Sequence, residues 1–377
     1  KVVIFSGSRS EYSLIKLILQ NFKKKKIVSL YSVISNSHFQ KEYGNSYNEF
    51  KKDNIKINKK IIPPKLKKNF LIENNLKIIK ELSSYLKKIK PNFFIIYGDR
   101  FETFTAAYAA SFLQIPIIHI EGGDITEGGA YDDIFRHSIT KLSHSHYVLH
   151  EKYKQRLINS LGEEKWRVKT VGMHALSEMR NLQLYQIKEI KKKFNLEENK
   201  FILITFHPET LNLTQIKEQL KILFNSIKNL PFKFVITYPN ANPKNNEIID
   251  YIENLKVNNK NFIVLKNCGR KLYYSLMKYA KLLIGNTSSG IVEAASFRKP
   301  VVNLGIRQLG KIKPKNVINC KITSKSINSS LKIALSNKFL VGISRIKNPY
   351  DPKISLNKFC NLIINIKIDK KLIRKKL

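Results

Sequence analysis

Three groups of carboxylates lie close together in this chain. Asp99 sits in Tyr97-Gly98-Asp99-Arg100, Glu121 in His119-Ile120-Glu121-Gly122-Gly123, and Asp132-Asp133 precedes Arg136-His137. Such groups can serve as proton donors and acceptors, and the adjacent glycines let a ligand come close to the backbone. Asp99 follows the apolar run Phe93–Tyr97 and Glu121 follows Pro116–Ile120. Both runs read as buried parallel strands. Their acids therefore fall at the carboxyl edge of a sheet, where open α/β sheets bind ligands. This stretch reads as a site.

The elements that position these residues repeat along the chain. Short apolar strands alternate with amphipathic helices, which predicts βαβ units and an α/β fold with parallel sheets. Strands are expected at Val2–Phe5, Ile27–Ser35, Phe93–Tyr97, Ile115–Ile120, His146–Leu149 and Val168–Val171, with a helix over Tyr153–Leu161. A second series is expected at Phe201–Phe206, Phe234–Tyr238, Phe262–Leu265 and Leu282–Ile284, with Pro300–Leu304 closing its core. With 377 residues the chain divides into two domains. The boundary is expected between Gly172 and Leu184: residues 1–173 carry the acids, residues 174–350 form the second domain, and a cleft lies between the halves. A helical segment, 351–377, is expected to cross back onto the first domain.

Composition excludes several classes. The net charge is +40, but lysine supplies nearly all of it and arginine occurs only 11 times. The lysines are scattered among Asn and Ile and read as solvated helix faces, without a nucleic-acid motif beside them. No run reaches membrane-spanning length. The cysteines, Cys268, Cys320 and Cys360, show neither disulfide density nor metal-ligand spacing. No signal-like segment is read at Lys1. A cytoplasmic protein with no nucleic-acid or membrane partner is expected.

Further residues have two readings each. Gly7-Ser8-Arg9-Ser10 joins a strand to a helix and can present N–H groups, with Arg9 and Ser13, to a phosphate, or it is an ordinary βα turn. Glu102 is well explained as an acid at a helix N-terminus, Asp99 less well. Asp132, Asp133, Arg136, His137 and Thr140 share a helix. An intrahelical ion pair plus capping accounts for one of the two aspartates, less easily for both, and Asp132 is chosen as the site-facing one. His144, His146 and His150 read as packing or surface histidines rather than metal ligands. His207, at a strand end before Pro208-Glu209, is a candidate general acid or phosphate partner, or a structural histidine. Gly285-Asn286-Thr287-Ser288-Ser289-Gly290 joins a strand to a helix over Ile291–Phe297 and is expected to cradle a diphosphate, with Glu293 reaching ribose hydroxyls.

Taken together, Gly-Asp-Arg-Phe-Glu (98–102), His-Ile-Glu-Gly-Gly (119–123), Asp-Asp-Ile-Phe-Arg-His-Ser-Ile-Thr-Lys (132–141), Thr-Phe-His-Pro-Glu-Thr (205–210) and Gly-Asn-Thr-Ser-Ser-Gly-Ile-Val-Glu (285–293) resemble the hydrolysing UDP-N-acetylglucosamine 2-epimerases. The resemblance runs from Val2 to about Gly310. It implies a glycosyltransferase-B-like architecture: two Rossmann-like domains facing across a cleft, in a homodimer. It also implies conversion of UDP-N-acetylglucosamine and water to N-acetylmannosamine and UDP for sialic-type acid synthesis, without cofactor or metal. Carried over by motif, the catalytic residues are Asp99, Glu121, Asp132 and His207. Arg9, Ser13 and Arg100 hold the nucleotide sugar from the first domain; Asn240, Thr287, Ser288, Glu293 and Arg307 hold UDP from the second. Relatives act on UDP- or GDP-linked N,N'-diacetylbacillosamine with the same motifs. A glycosyltransferase of this fold is the other enzymatic reading, and it would not need several acids.

Overall fold

A computed structural model describes residues 1–39, 47–64, 70–126, 132–209, 215–239 and 244–376; the side chains of Arg9, Ser10, Ser13, Leu14, Ser37 and Asn258 lie outside the description. The chain forms two compact units. Unit 1 comprises residues 1–124, 132–177 and 350–377, and unit 2 comprises residues 125–131 and 178–349.

Unit 1 is a seven-stranded parallel sheet in the order β3-β2-β1-β4-β5-β6-β7. Its strands are β1 (Val2–Ser6), β2 (Leu30–Ser35), β3 (Lys59–Ile61), β4 (Phe93–Tyr97), β5 (Ile117–Ile120), β6 (Ser145–Val148) and β7 (Val168–Thr170). Alternate residues of the apolar runs serve opposite faces. Val2, Ile4, Phe93, Ile95 and Ile118 pack with Ile15, Ile18 and Phe22 of α1 (Arg9–Lys23). Val3, Phe5, Phe94, Ile96 and Ile117 pack on the other face. Their partners lie on α3 (Phe70–Ile89), α4 (Phe101–Phe112) and α5 (Asp132–Leu142), while α2 (Tyr47–Lys52) contributes Phe50 to the first face.

The C-terminal segment belongs to this unit. Phe359, Cys360 and Ile363 of the helix Leu356–Ile364 enter the first core face. Met173 N donates to Tyr350 O at 2.7 Å and Lys353 N to Val171 O at 2.9 Å. Gly172 allows this crossing: its φ is +73°, and a Cβ there would lie 2.3 Å from Asp351 O. The fully buried Arg167 guanidinium donates to the carbonyls of Leu372, Lys371 and Arg374 and so pins the tail.

Unit 2 repeats the design with six parallel strands in the order β10-β9-β8-β11-β12-β13. They are β8 (Phe201–Thr205), β9 (Lys233–Thr237), β10 (Phe262–Leu265), β11 (Leu282–Gly285), β12 (Val301–Leu304) and β13 (Val317–Cys320). Three sequence expectations are corrected here. The strand Val301–Leu304 does not close the core, because β13 pairs beyond it. The second strand starts at Leu30 rather than Ile27, which is 81% exposed. The expected helix Ile291–Phe297 is a five-residue helix, Ser288–Val292, followed by a 3-10 turn, Ala294–Phe297.

Strand order reverses direction between β1 and β4 in unit 1 and between β8 and β11 in unit 2. At such switch points the loops leaving adjacent strands diverge, opening a crevice at the carboxyl edge.

Candidate active site

In unit 1 the crevice edge is built by the turns after β1, β4 and β5 and by the first turns of α5. Gly98 (φ +79°) bends the chain after β4, and its N–H donates to Ile120 O at 3.0 Å. Asp99 then meets Arg136 of α5 in an ion pair. The same guanidinium binds Asp133 and donates to Asp124 O at 3.1 Å. Burial works against the cationic form of Arg136, but Asp99, Asp124 and Asp133 outweigh it and hold the group charged. The intrahelical partner of Arg136 is thus Asp133, while Asp132 contributes to the field that keeps Arg100 cationic.

Glu121 follows β5 with φ +73°, the one acidic residue with positive φ among the described residues. Its N–H donates to Tyr147 O at 2.9 Å, which locks the strained backbone to β6. Positive φ in a non-glycine residue costs about 1 kcal/mol or more and persists only when neighbours enforce it. Behind it, fully buried His119 bridges Gly98 O (2.9 Å) and Thr140 Oγ1 (3.3 Å), tying β4, β5 and α5 together. Gly122 leaves room for that ring, since a Cβ would lie 3.0 Å from its Nδ1.

Glu102 stands in the first turn of α4, as expected, where it is fully buried and pairs with Arg100 (3.2 Å) and Asn36. Glu11, which the sequence reading passed over, is buried beside it. Arg9 and Ser13 lie on α1, their side chains outside the description.

In unit 2, His207 follows β8 and is buried. Its backbone is clamped by the Asn286 side chain, which accepts from His207 N (2.7 Å) and donates to His207 O (2.8 Å). Asn286 O in turn accepts from Arg307 Nη1 (3.3 Å) and Gln308 Nε2 (3.1 Å). Asn286 therefore joins the turns after β8, β11 and β12. Burial, reinforced by the Arg307 charge, holds the His207 imidazole neutral. Glu209 steadies the Arg307 loop by accepting from Ile306 N at 2.8 Å.

The three hydroxyls after β11 do different jobs. Thr287 caps the short helix, and Ser289 bonds Thr287 and the Tyr273 hydroxyl (2.5 Å), so local structure accounts for two of them. Ser288 is exposed at the edge. Burial pushes the Glu293 carboxyl up to about 7, with Arg270 and Lys311 opposing the shift. Asn240 lies outside the described residues. Asp99, Arg100, Glu121 and Asp132 are thus gathered at the carboxyl edge of unit 1, and His207, Thr287, Ser288, Glu293 and Arg307 at that of unit 2. The signals for Asn286 and Glu209 were present in the quoted motifs, but their bonds span distant turns.

His144, His146 and His150 have structural partners. His144 Nδ1 accepts from Ile117 N (3.1 Å), His146 meets Glu163 (3.0 Å), and His150 caps the helix α6 (Glu151–Asn159). Burial depresses all eight histidines, to about 3 for His38 and His119 and about 4 for His144. The unfolded chain therefore takes up more protons than the native one below about pH 6.5, and each such histidine removes stability as pH falls. Glu11 and Glu293, raised to about 7, act in the opposite sense between about 7 and 4.5 and offset about two of them. Thermal unfolding followed from about pH 7 to about pH 5 should show Tm falling steadily. A flat or rising Tm would contradict this balance.

The fold and this pair of edges define a class. The family model of UDP-N-acetylglucosamine 2-epimerase matches residues 20–364. The chain is 34% identical over 332 residues to a GDP/UDP-N,N'-diacetylbacillosamine 2-epimerase (hydrolyzing) of Campylobacter jejuni, covering 85% of this chain and 84% of that one. It is 29% identical over 340 residues to a UDP-N,N'-diacetylbacillosamine 2-epimerase (hydrolyzing) of Legionella pneumophila, with 89% of each covered. Its fold matches the crystal structure of the Neisseria meningitidis UDP-GlcNAc 2-epimerase bound to UDP-GlcNAc with TM-score 0.80 at 22% identity, covering 96% of this chain and 98% of that one. This chain belongs to the hydrolysing UDP-N-acetylglucosamine 2-epimerase family, and its two parallel α/β units have the glycosyltransferase-B-like fold of that family.

Proposed function

We propose that the protein hydrolyses a nucleotide-linked 2-acetamido sugar with inversion at C2, releasing the free epimer and the nucleoside diphosphate. A base takes the C2 proton as the C1–O bond to the diphosphate breaks, which leaves a glycal. Water then adds its oxygen at C1 and gives up a proton, as C2 receives one proton on the face opposite to the one it lost. The gathering of Asp99, Glu121 and Asp132 at one sheet edge carries this reading, because a transferase has no use for three such acids. Glu121, on its enforced backbone after β5, is assigned the base and Asp132 the opposing acid. Neutral His207 donates to the departing diphosphate beside the Arg307 charge, with Thr287 and Ser288 at the same edge and Glu293 on the ribose. Arg9, Ser13 and Arg100 hold the sugar nucleotide from unit 1, and Asn240 belongs with the UDP ligands.

UDP-N-acetylglucosamine is the first substrate assigned. The activities of the Campylobacter and Legionella relatives favour a second, UDP- or GDP-linked N,N'-diacetylbacillosamine. Incubation of each in deuterated water, followed by proton NMR, decides between them. Free sugar deuterated at C2 with released nucleotide supports the reaction, and the faster substrate is the assigned one. Turnover of none would overturn the proposal.

The active form in this reading is a homodimer in the cytoplasm. In unit 1, α3, α4 and α5 expose Leu71, Ile72, Leu76, Tyr108, Phe112 and Ile134, with Phe112 and Ile134 each 69% exposed. Exposed apolar side chains on these three helices are read as a contact surface. Phe112→Glu should reduce the light-scattering mass from twice 43.8 kDa to 43.8 kDa. A wild-type monomer, or a variant that stays dimeric, would remove this face from the assembly.

A further inference from the structure

Glu11 is the residue that joins the two turns flanking the switch point of unit 1. It is the third residue of α1, and part of its bonding is an ordinary capping box with Ser8. A capping glutamate does that work in solvent at no desolvation cost, yet Glu11 is 4% exposed. Its Oε2 also accepts from Gly7 N (2.7 Å), Ser8 N (3.2 Å) and Ser6 Oγ (3.3 Å), so it gathers the whole turn after β1. Its Oε1 accepts from Thr103 Oγ1 (3.0 Å), which lies in the first turn of α4, three residues after Arg100. Gly7 permits this approach, since a Cβ there would lie 2.8 Å from Glu102 Cβ.

We propose that Glu11 is a positioning residue for the nucleotide-sugar reaction: its carboxyl ties the turn after β1 to the turn after β4 and so sets Arg100 toward the substrate. This rests on the function proposed above. Glu102, beside Glu11, is the ion-pair partner of Arg100, so displacement of one turn against the other moves that guanidinium.

The tie has a pH signature. Burial, then the Glu102 charge, raises the Glu11 carboxyl to about 7, while Arg100, Gly7 N and Thr103 pull it down. The facing groups are Glu102, Arg100 and Thr103 after β4, Ser6, Gly7 and Ser8 after β1, and His38 after β2, which bonds Ser6 Oγ at 2.9 Å. Burial keeps His38 neutral, down at about 3, and the Glu102 charge keeps Arg100 cationic. Glu11 is therefore the group whose charge changes near neutrality. Once it ionises, two carboxylates compete for one guanidinium beside an anionic substrate.

The test compares wild type, Glu11→Gln and Glu11→Ala in the intact protein. Glutamine keeps the carbonyl acceptor for Gly7 and Ser8 and can donate to Thr103, but it cannot ionise. Glu11→Ala should raise KM about tenfold or more, and wild-type KM should rise several-fold between about pH 6 and about pH 8. Glu11→Gln should recover most of the affinity lost in Glu11→Ala and flatten that pH dependence. Wild-type KM in Glu11→Ala, or an unchanged pH profile in Glu11→Gln, would overturn the proposal. If wild type turns over no nucleotide sugar, the functional reading fails first. Amide hydrogen exchange then decides the tie: protection of segments 2–12 and 98–105 must fall together in Glu11→Ala and survive in Glu11→Gln, and unaltered protection in Glu11→Ala overturns it.

Discussion

Glu121→Gln is expected to lower kcat by about 10³-fold, the scale of a general base, while leaving UDP affinity and Tm close to wild type. The substitution keeps size and shape and removes the ability to accept a proton. It also leaves the bond from residue 121 N to Tyr147 O, which enforces the positive φ, untouched. Folding therefore gives no reason for a loss of rate. Single-turnover kinetics, UDP calorimetry and thermal unfolding on the same preparation separate the possibilities. Near-normal turnover would remove Glu121 from the chemistry. A loss of UDP binding in parallel would mark it as a binding group instead.

Arg136→Met is expected to destabilise unit 1 by about 3 kcal/mol, with a fall in Tm of roughly 6 °C or more. Arg136 is 3% exposed and meets Asp99 and Asp133 while bonding Asp124 O. Removing one partner of a buried ion network costs far more than the network contributes, because the remaining charges lose compensation. The same change removes the guanidinium that orients Asp99, so activity should be lost even where the variant is folded. Lysine should restore only part, as one ammonium cannot span two carboxylates and a carbonyl with fixed fork geometry. Unfolding by denaturant checks the first effect. Wild-type stability in Arg136→Met would show that Asp99 and Asp133 find other partners.

Such a network also explains how a chain of net charge +40 holds acids at a sheet edge. Lysines occupy exposed helix faces, where they are solvated and screened. The few arginines do local work: Arg136 on Asp99, Arg167 on the tail, Arg307 on Asn286, Arg100 on Glu102. Arginine is suited to burial because its planar charge is held by several acceptors at once.

The sequence by itself determined the α/β class and the central strands. Runs such as Phe93–Tyr97 and Phe201–Thr205 are buried on both faces, and that demand writes a continuous apolar stretch. It also determined which acids stand at sheet edges, since Asp99 and Glu121 directly follow such runs. Two of the four edge strands were not legible: β3 is Lys-Lys-Ile and β13 is Val-Ile-Asn-Cys, each half-solvated and too short for a periodic signal, whereas the edge strands β7 and β10 were read. The division of labour among polar side chains was decided only by tertiary structure. Asp132 and Asp133 are equivalent in spacing, and it is the fork of Arg136, aimed at Asp99 from a turn 37 residues earlier, that takes Asp133. Glu11 and Thr103 are 92 residues apart and meet only because β1 and β4 are neighbours in the sheet. Burial is local in the sequence, since each residue carries its own apolar surface. A hydrogen bond needs a partner, and the partner is supplied by the fold.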